Sequence, residues 1–153
     1  MEITRKTLPA QPYLYVDREC PFGPEIADAM GSAFGELFAF VGQAGVSPMS
    51  MPMAIYTEMD PKIMRFRGAV AVSTEDAEKA TGTVKSDTLP GGDVMHVTHT
   101  GPYDQLRQTH ETLLAHMEAE GIKGTMPTWE HYIDDPGDTA PEDLRTEIYY
   151  KIG

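Results

Sequence analysis

A carboxylate set among aromatic residues is the clearest chemistry in this sequence. Glu130 stands in Trp129-Glu130-His131-Tyr132, and Glu147 stands in Glu147-Ile148-Tyr149. Tyr103, Tyr56, Tyr13 and Tyr15 add further rings. Negative charge beside ring faces suits a flat or quaternary cation, held by stacking and cation–π attraction. A lone buried carboxylate is costly, so a buried Glu130 needs a partner or a function, whereas an exposed one needs neither. Glu147 alternates with Arg145 and Tyr149, so the three share one strand face. Ligand contact and an ion pair with Arg145 are both open to it.

The other reactive groups point away from metal or nucleophilic chemistry. His96 and His99 are three apart on an expected strand and should face opposite ways, so they cannot chelate together. His110 falls on a helix face and reads as a satisfied core histidine, while His116 and His131 have no partner at ligand spacing. No metal site is expected. Cys20 is the single cysteine, which excludes an intramolecular disulfide and leaves a free thiol. Pro90-Gly91-Gly92 reads as a turn rather than a phosphate loop, and no Ser-His-Asp or Cys-His set is readable.

The formal net charge of −12 argues against a nucleic-acid surface, which needs clustered Lys and Arg. The N-terminus lacks the apolar run of a signal peptide, and no stretch is long enough to span a bilayer. A cytoplasmic protein is expected.

The elements that must position these residues come as a repeat. Ala27, Met30, Phe34, Leu37 and Val41 are spaced 3, 4, 3, 4, one face of a helix within Pro24–Val41. Tyr103, Leu106, His110, Leu113 and Met117 repeat that spacing within Pro102–Glu120, each 76 residues beyond its partner. Gly23-Pro24 recurs as Gly101-Pro102, and Thr7-Leu8-Pro9 as Thr88-Leu89-Pro90. Met51-Pro52 recurs as Met126-Pro127 and Asp60-Pro61 as Asp135-Pro136, both 75 later. Strands are expected near Tyr13–Asp17, Met53–Glu58 and Arg67–Ser73, then Val94–His99, Trp129–Ile133 and Arg145–Ile152.

The fold class that follows is α+β. Two tandem pseudosymmetric β-α-β-β units, pseudo-repeats 1–74 and 82–153, should form one antiparallel sheet with two long helices on one face and a ligand cleft between the halves. Residues 1–153 are expected as one domain, with Glu75–Gly82 a polar connection. The 75-residue offset sets Ile55 opposite Glu130, a carboxylate in place of an aliphatic side chain; the 76-residue offset of the helices would set Ile55 opposite His131.

Several stretches carry a family resemblance. They are Phe34-Gly35-Glu36-Leu37-Phe38-Ala39-Phe40 with Gly42-Gln43-Ala44-Gly45-Val46, then Ala54–Pro61, and Leu89-Pro90-Gly91-Gly92 with His99-Thr100-Gly101-Pro102-Tyr103. The last are Trp129–Pro136 and Leu144–Tyr149. Together they resemble the gyrase-inhibitor-like (GyrI-like) family, also called the AraC-type bacterial effector-binding domain. The resemblance implies a pocket between two related halves for amphipathic or cationic aromatic molecules. It makes the carboxylate matching Glu130 the polar anchor, with Tyr132, Trp129, Tyr103, Tyr149, Glu147 and Tyr56 as expected ligand contacts. Many members are fused to a helix-turn-helix; residues 1–12 leave no room for one, so a stand-alone sensor or sequestering domain is expected. No cofactor is implied. Two other activities in the family remain open: hydrolysis of cyclopropane-type electrophiles, with Glu130 activating water, and inhibition through a protein partner.

Overall fold

The computed structural model describes residues 2–58 and 60–152. Eight strands and three helices run in the order β1 (Ile3–Leu8), β2 (Gln11–Pro21), α1 (Glu25–Ala44), β3 (Met53–Tyr56), β4 (Ile63–Ala71), α2 (Thr74–Ala77), β5 (Lys85–Leu89), β6 (Gly92–Thr100), α3 (Leu106–Ala119), β7 (Gly124–Tyr132) and β8 (Arg145–Ile152). None of the helices is long and apolar enough to cross a membrane.

Both long helices form where the 3, 4 spacing puts them, but only the C-terminal part of each expected stripe is buried: Ala27 is exposed and Met30, Phe34, Leu106 and His110 are half-buried. Ala33, Leu37 and Val41 are the buried side of α1; Thr109, Leu113 and Met117 are that of α3. Gly45 ends α1 in the left-handed region, with φ 68°, and returns its N–H to the Val41 carbonyl. The two starts differ. Pro24 is helical, so α1 begins at once, whereas Pro102 is extended at ψ 151°. Tyr103 therefore falls in a 3₁₀ turn, Tyr103–Gln105, and α3 opens only at Leu106. The expected helix from Pro102 is shorter by that turn.

All neighbouring strands are antiparallel, in the order β1-β6-β8-β7-β3-β4-β2-β5. The run β3-β4-β2 mirrors β7-β8-β6 across a pseudo-twofold between β3 and β7. The expected β-α-β-β unit is present in each half but lacks one strand. β1 and β5 are that missing strand, and each edges the other half's sheet. They escape the sequence pattern because they are mostly exposed edge strands, Ile-Thr-Arg-Lys-Thr-Leu and Lys-Ser-Asp-Thr-Leu, without clean alternation.

The exchange forces the sheet to curl. Only Pro9 and Ala10 join β1 to β2, yet these strands are six places apart. Flat, six spacings are about 29 Å, while three peptide links reach at most about 11 Å. Pro90 and Gly91 impose the same closure between β5 and β6. The two short turns meet: a Cβ on Gly91 would lie 2.8 Å from the Ala10 nitrogen. Gly91→Ala is expected to destabilise the fold by roughly 1–3 kcal/mol through this overlap with backbone. A urea melt superimposable on wild type would show that the turns are not in close contact.

Curling explains two buried sheet faces with helices on only one. Leu14, Val16, Val70 and Val72 pack beneath α1 with Leu37 and Val41. Met95, Val97 and Ile148 pack beneath α3 with Leu113 and Met117. Registers Leu14↔Val70, Ala54↔Gly68, Ala54↔Glu130, Glu130↔Ile148 and Val97↔Ile148 put both helices on the same face, as expected. At Gly68 the approach is close enough that a Cβ would meet Ala33 Cβ at 2.8 Å. The opposite, bare face buries Tyr13, Tyr15, Met53, Ile55, Ala69, Ala71, Leu89, Val94 and Trp129 without a helix. Edge residues Leu8 and Leu89 join this cluster because the sheet ends fold toward each other.

Candidate functional site

Alternation along β7 decides which residues can act together. Trp129 and His131 pair with Ile55 and Met53, so they point to the bare face. Glu130 and Tyr132 point to the helix face, at the seam between α1 and α3. Glu130 lies directly across from Ala54, beside the pseudo-twofold. The alignment of Ile55 with Glu130 is therefore wrong, because these side chains occupy opposite faces. The 76-residue offset keeps the faces consistent, matching Ala54 with Glu130, Ile55 with His131 and Tyr56 with Tyr132.

Glu130 is only 5% exposed. Its Oε1 accepts a 2.6 Å hydrogen bond from the Tyr132 hydroxyl. Its Oε2 lies 2.5 Å from His110 Nε2, and His110 Nδ1 lies 2.6 Å from the Tyr150 hydroxyl oxygen. Tyr56 borders Tyr132 and completes a chain of polar tips, Tyr150–His110–Glu130–Tyr132–Tyr56. Burial, reinforced by the Glu130 charge, holds the Tyr132 and Tyr56 phenols well above their usual range and raises Tyr150 to about 12. These phenols are neutral donors, not nucleophiles. Phe34 packs edge-on against Tyr132 at 6.2 Å from α1, and Tyr103 does so at 5.6 Å from its turn. Tyr103 is 36% exposed and caps the cluster from outside.

The expected ligand set therefore divides. Glu130, Tyr132, Tyr56 and Tyr103 come together on the helix face. Trp129, Tyr149 and Glu147 lie on the bare face and cannot share that site. There Trp129 stacks on Tyr149 at 5.4 Å and 15°. Glu147 accepts from Thr98 at 3.0 Å and pairs with His96. Burial pushes the neighbouring His131 down to about 4, so it stays neutral at ordinary pH. Arg145 turns from Glu147 to Asp134 at 2.9 Å, so the Arg145–Glu147 pair, one of the two alternatives open to Glu147, does not form. His96 and His99 do face opposite ways: His99 bonds Thr109 on the helix face, and His96 meets Glu147 on the other.

Sequence reasoning missed His110 and Tyr150. His110 was expected as a core histidine, yet it bridges Glu130 and Tyr150. The signal was the repeat itself, since His110 replaces Phe34's equivalent on a helix facing the carboxylate-bearing strand. A separate open groove of about 490 Å³, lined in part by Asp17, Glu19, Arg65 and Arg67, lies at the far ends of β2 and β4 and does not reach Glu130.

A family model described as the GyrI-like small molecule binding domain matches residues 1–152. The chain belongs to the GyrI-like family. This GyrI-like domain is similar to the EcmrR C-terminal domain, with a TM-score of 0.79 and 23% identity over 99% of this chain and 97% of that one. SAV2435, solved bound to tetraphenylphosphonium, gives a TM-score of 0.69 and 16% identity over 100% and 94%. A hydrolase from Listeria innocua gives 0.68 and 17% over 99% and 92%. At these identities the likeness is one of fold. A search of curated protein sequences returned no match.

Proposed function

We propose that this GyrI-like domain binds small amphipathic cations, aromatic ones above all, at Glu130 in the seam between α1 and α3. The observation that carries the reading is a buried carboxylate with no Lys or Arg salt bridge among the described residues. A buried anion held by an imidazole and a phenol remains expensive, and an incoming cation offsets that cost directly. Phe34, Tyr103, Tyr132 and Tyr56 supply ring faces around it, each worth up to about 2 kcal/mol of cation–π attraction once water is excluded. Tyr103 is the ring that must swing aside, and its position in a short turn before α3 makes that movement local. The tetraphenylphosphonium complex of SAV2435 supports this class of ligand.

Calorimetric titration with tetraphenylphosphonium is expected to give saturable one-to-one binding that its neutral counterpart, triphenylphosphine oxide, matches only weakly. Equal affinity for the two would remove the charge-recognition reading. A second reading, hydrolysis of a strained electrophile, is supported by the His110–Glu130 pair, which could take a proton from water. It predicts multiple turnover in place of simple saturation.

A further inference from the structure

Each half of the molecule has a groove between its long helix and the end of a strand, and the two grooves differ. In the first half the chain itself closes the groove between β2 and α1. Arg18 on β2 reaches Glu36 at 2.7 Å and Ser32 at 3.3 Å on α1. The Thr83 hydroxyl donates to the other oxygen of Glu36, and Val84 packs with Leu37 and Val41. Thr81–Val84, which leads into β5, therefore lies over that groove. In the second half His99 stands for Arg18, 81 residues on, as Thr88-Leu89-Pro90 stands for Thr7-Leu8-Pro9. Gln108 and Thr112 stand for Ser32 and Glu36, 76 residues on. There His99 turns down to Thr109 at 2.6 Å and to the Pro102 carbonyl at 3.1 Å. Thr112 donates to the Gln108 carbonyl of its own helix at 2.9 Å. The extended Pro102 also delays α3 by a turn, whereas α1 begins at once. An open groove of about 410 Å³ remains, walled by Thr98 and Thr100 of β6 and by Gln105, Gln108 and Thr112 beside them. No Asp, Glu, Lys or Arg lines it.

β6 is also uncovered at this end. Its pairing with β1 stops at Val97↔Ile3, while its pairing with β8 runs on to Thr100↔Arg145. Among the described residues, no strand continues beside Thr98–Thr100 on the β1 side. A short sheet edge therefore faces the row of neutral side chains. We infer that this groove takes an extended, uncharged segment of a partner polypeptide. The segment adds to β6 at Thr98–Thr100, antiparallel and in line with β1, the mode by which peptides extend exposed sheet edges. Its amide groups, and any Ser, Thr or Asn side chain, meet the Gln105 and Gln108 amides and the Thr112 hydroxyl, which offer both donors and acceptors. The first half supplies the template, because Thr81–Val84 fills the equivalent place with a neutral Thr-Gly-Thr-Val run. A charged segment is disfavoured, since its charge would shed water and meet no counter-charge in the groove. The site is separate from the cation anchor. Thr109 turns toward β6, whereas His110 reaches Glu130 on β7.

The test titrates the intact, nitrogen-15-labelled domain with acetyl-Thr-Gly-Thr-Val-amide, a copy of Thr81–Val84. Saturable NMR shifts are expected at the backbone amides of Thr98–Gly101 and at the side-chain amides of Gln105 and Gln108. The same peptide with Glu in place of both Thr residues should bind roughly tenfold more weakly. Thr112→Arg puts a long side chain into the groove from an exposed helix position, so it should abolish the shifts and melt as wild type does. Gln108→Arg, one turn away and also exposed, should do the same. The inference is overturned if the peptide leaves these resonances unmoved, if both variants bind it as wild type does, or if its glutamate version binds as tightly. It is overturned equally if maltose shifts the same amides and the peptide does not, which would make the groove a sugar site. Shifts that follow dilution alone would overturn it too, by marking an interface between two copies of the chain.

Discussion

Glu130→Gln is expected to weaken tetraphenylphosphonium binding by about 1.5–3 kcal/mol, roughly ten- to 150-fold, and to leave triphenylphosphine oxide unchanged. The substitution keeps the side-chain shape and removes only the charge. Its amide oxygen can still accept from Tyr132 or His110, so the seam stays packed. Folding stability should fall modestly, because the amide keeps one acceptor where the carboxylate gave two, and its NH2 meets a donor from Tyr132 or His110. A thermal melt run beside the titration separates the two effects. Undiminished affinity for the cation in a folded Glu130→Gln protein would show that the carboxylate is not the anchor.

Trp129→Ala is expected to lower stability by about 3–5 kcal/mol, the usual cost of emptying a large aromatic site in a core. Trp129 is 2% exposed and stacks on Tyr149 among Met53 and Ile55 on the bare face. It lies one residue from Glu130 in sequence and on the opposite side of the sheet. The milder Trp129→Phe should therefore bind tetraphenylphosphonium as wild type does. Trp129 is also the only tryptophan in the chain, so its fluorescence should be nearly silent to ligand binding. If Trp129→Phe keeps its stability and loses the cation, the bare face carries the site instead.

Glu130 and Trp129 together mark where sequence reading reached and where it stopped. Both were legible as residue types suited to a cation site. Period-2 alternation along β7 already separates them, but adjacency in the motif grouped them. Along β8 the same rule was applied and held: Ile148, Tyr150 and Ile152 pack toward α3, while Glu147 and Tyr149 face away. The misplacement of Ile55 opposite Glu130 has a similar origin. One residue of offset between the halves is invisible in loose motifs, yet it reverses the face of every side chain in a strand.

What the sequence determined by itself is local. The 3, 4 spacing set both helices, Pro24 and Gly45 set the ends of α1, and the 76-residue echo set two related halves. These follow from short-range sterics and from the need to bury one stripe of each helix. What the tertiary structure decided is which distant groups meet. β1 and β5 cross to the opposite halves and curl the sheet, and no local pattern encodes a strand's partner across the chain. His110, twenty residues before Glu130, reaches it only because α3 lies over β6 and β8, with β7 the next strand. A hydrogen-bonded pair needs a particular separation and direction, and those are fixed by register and packing across the whole sheet.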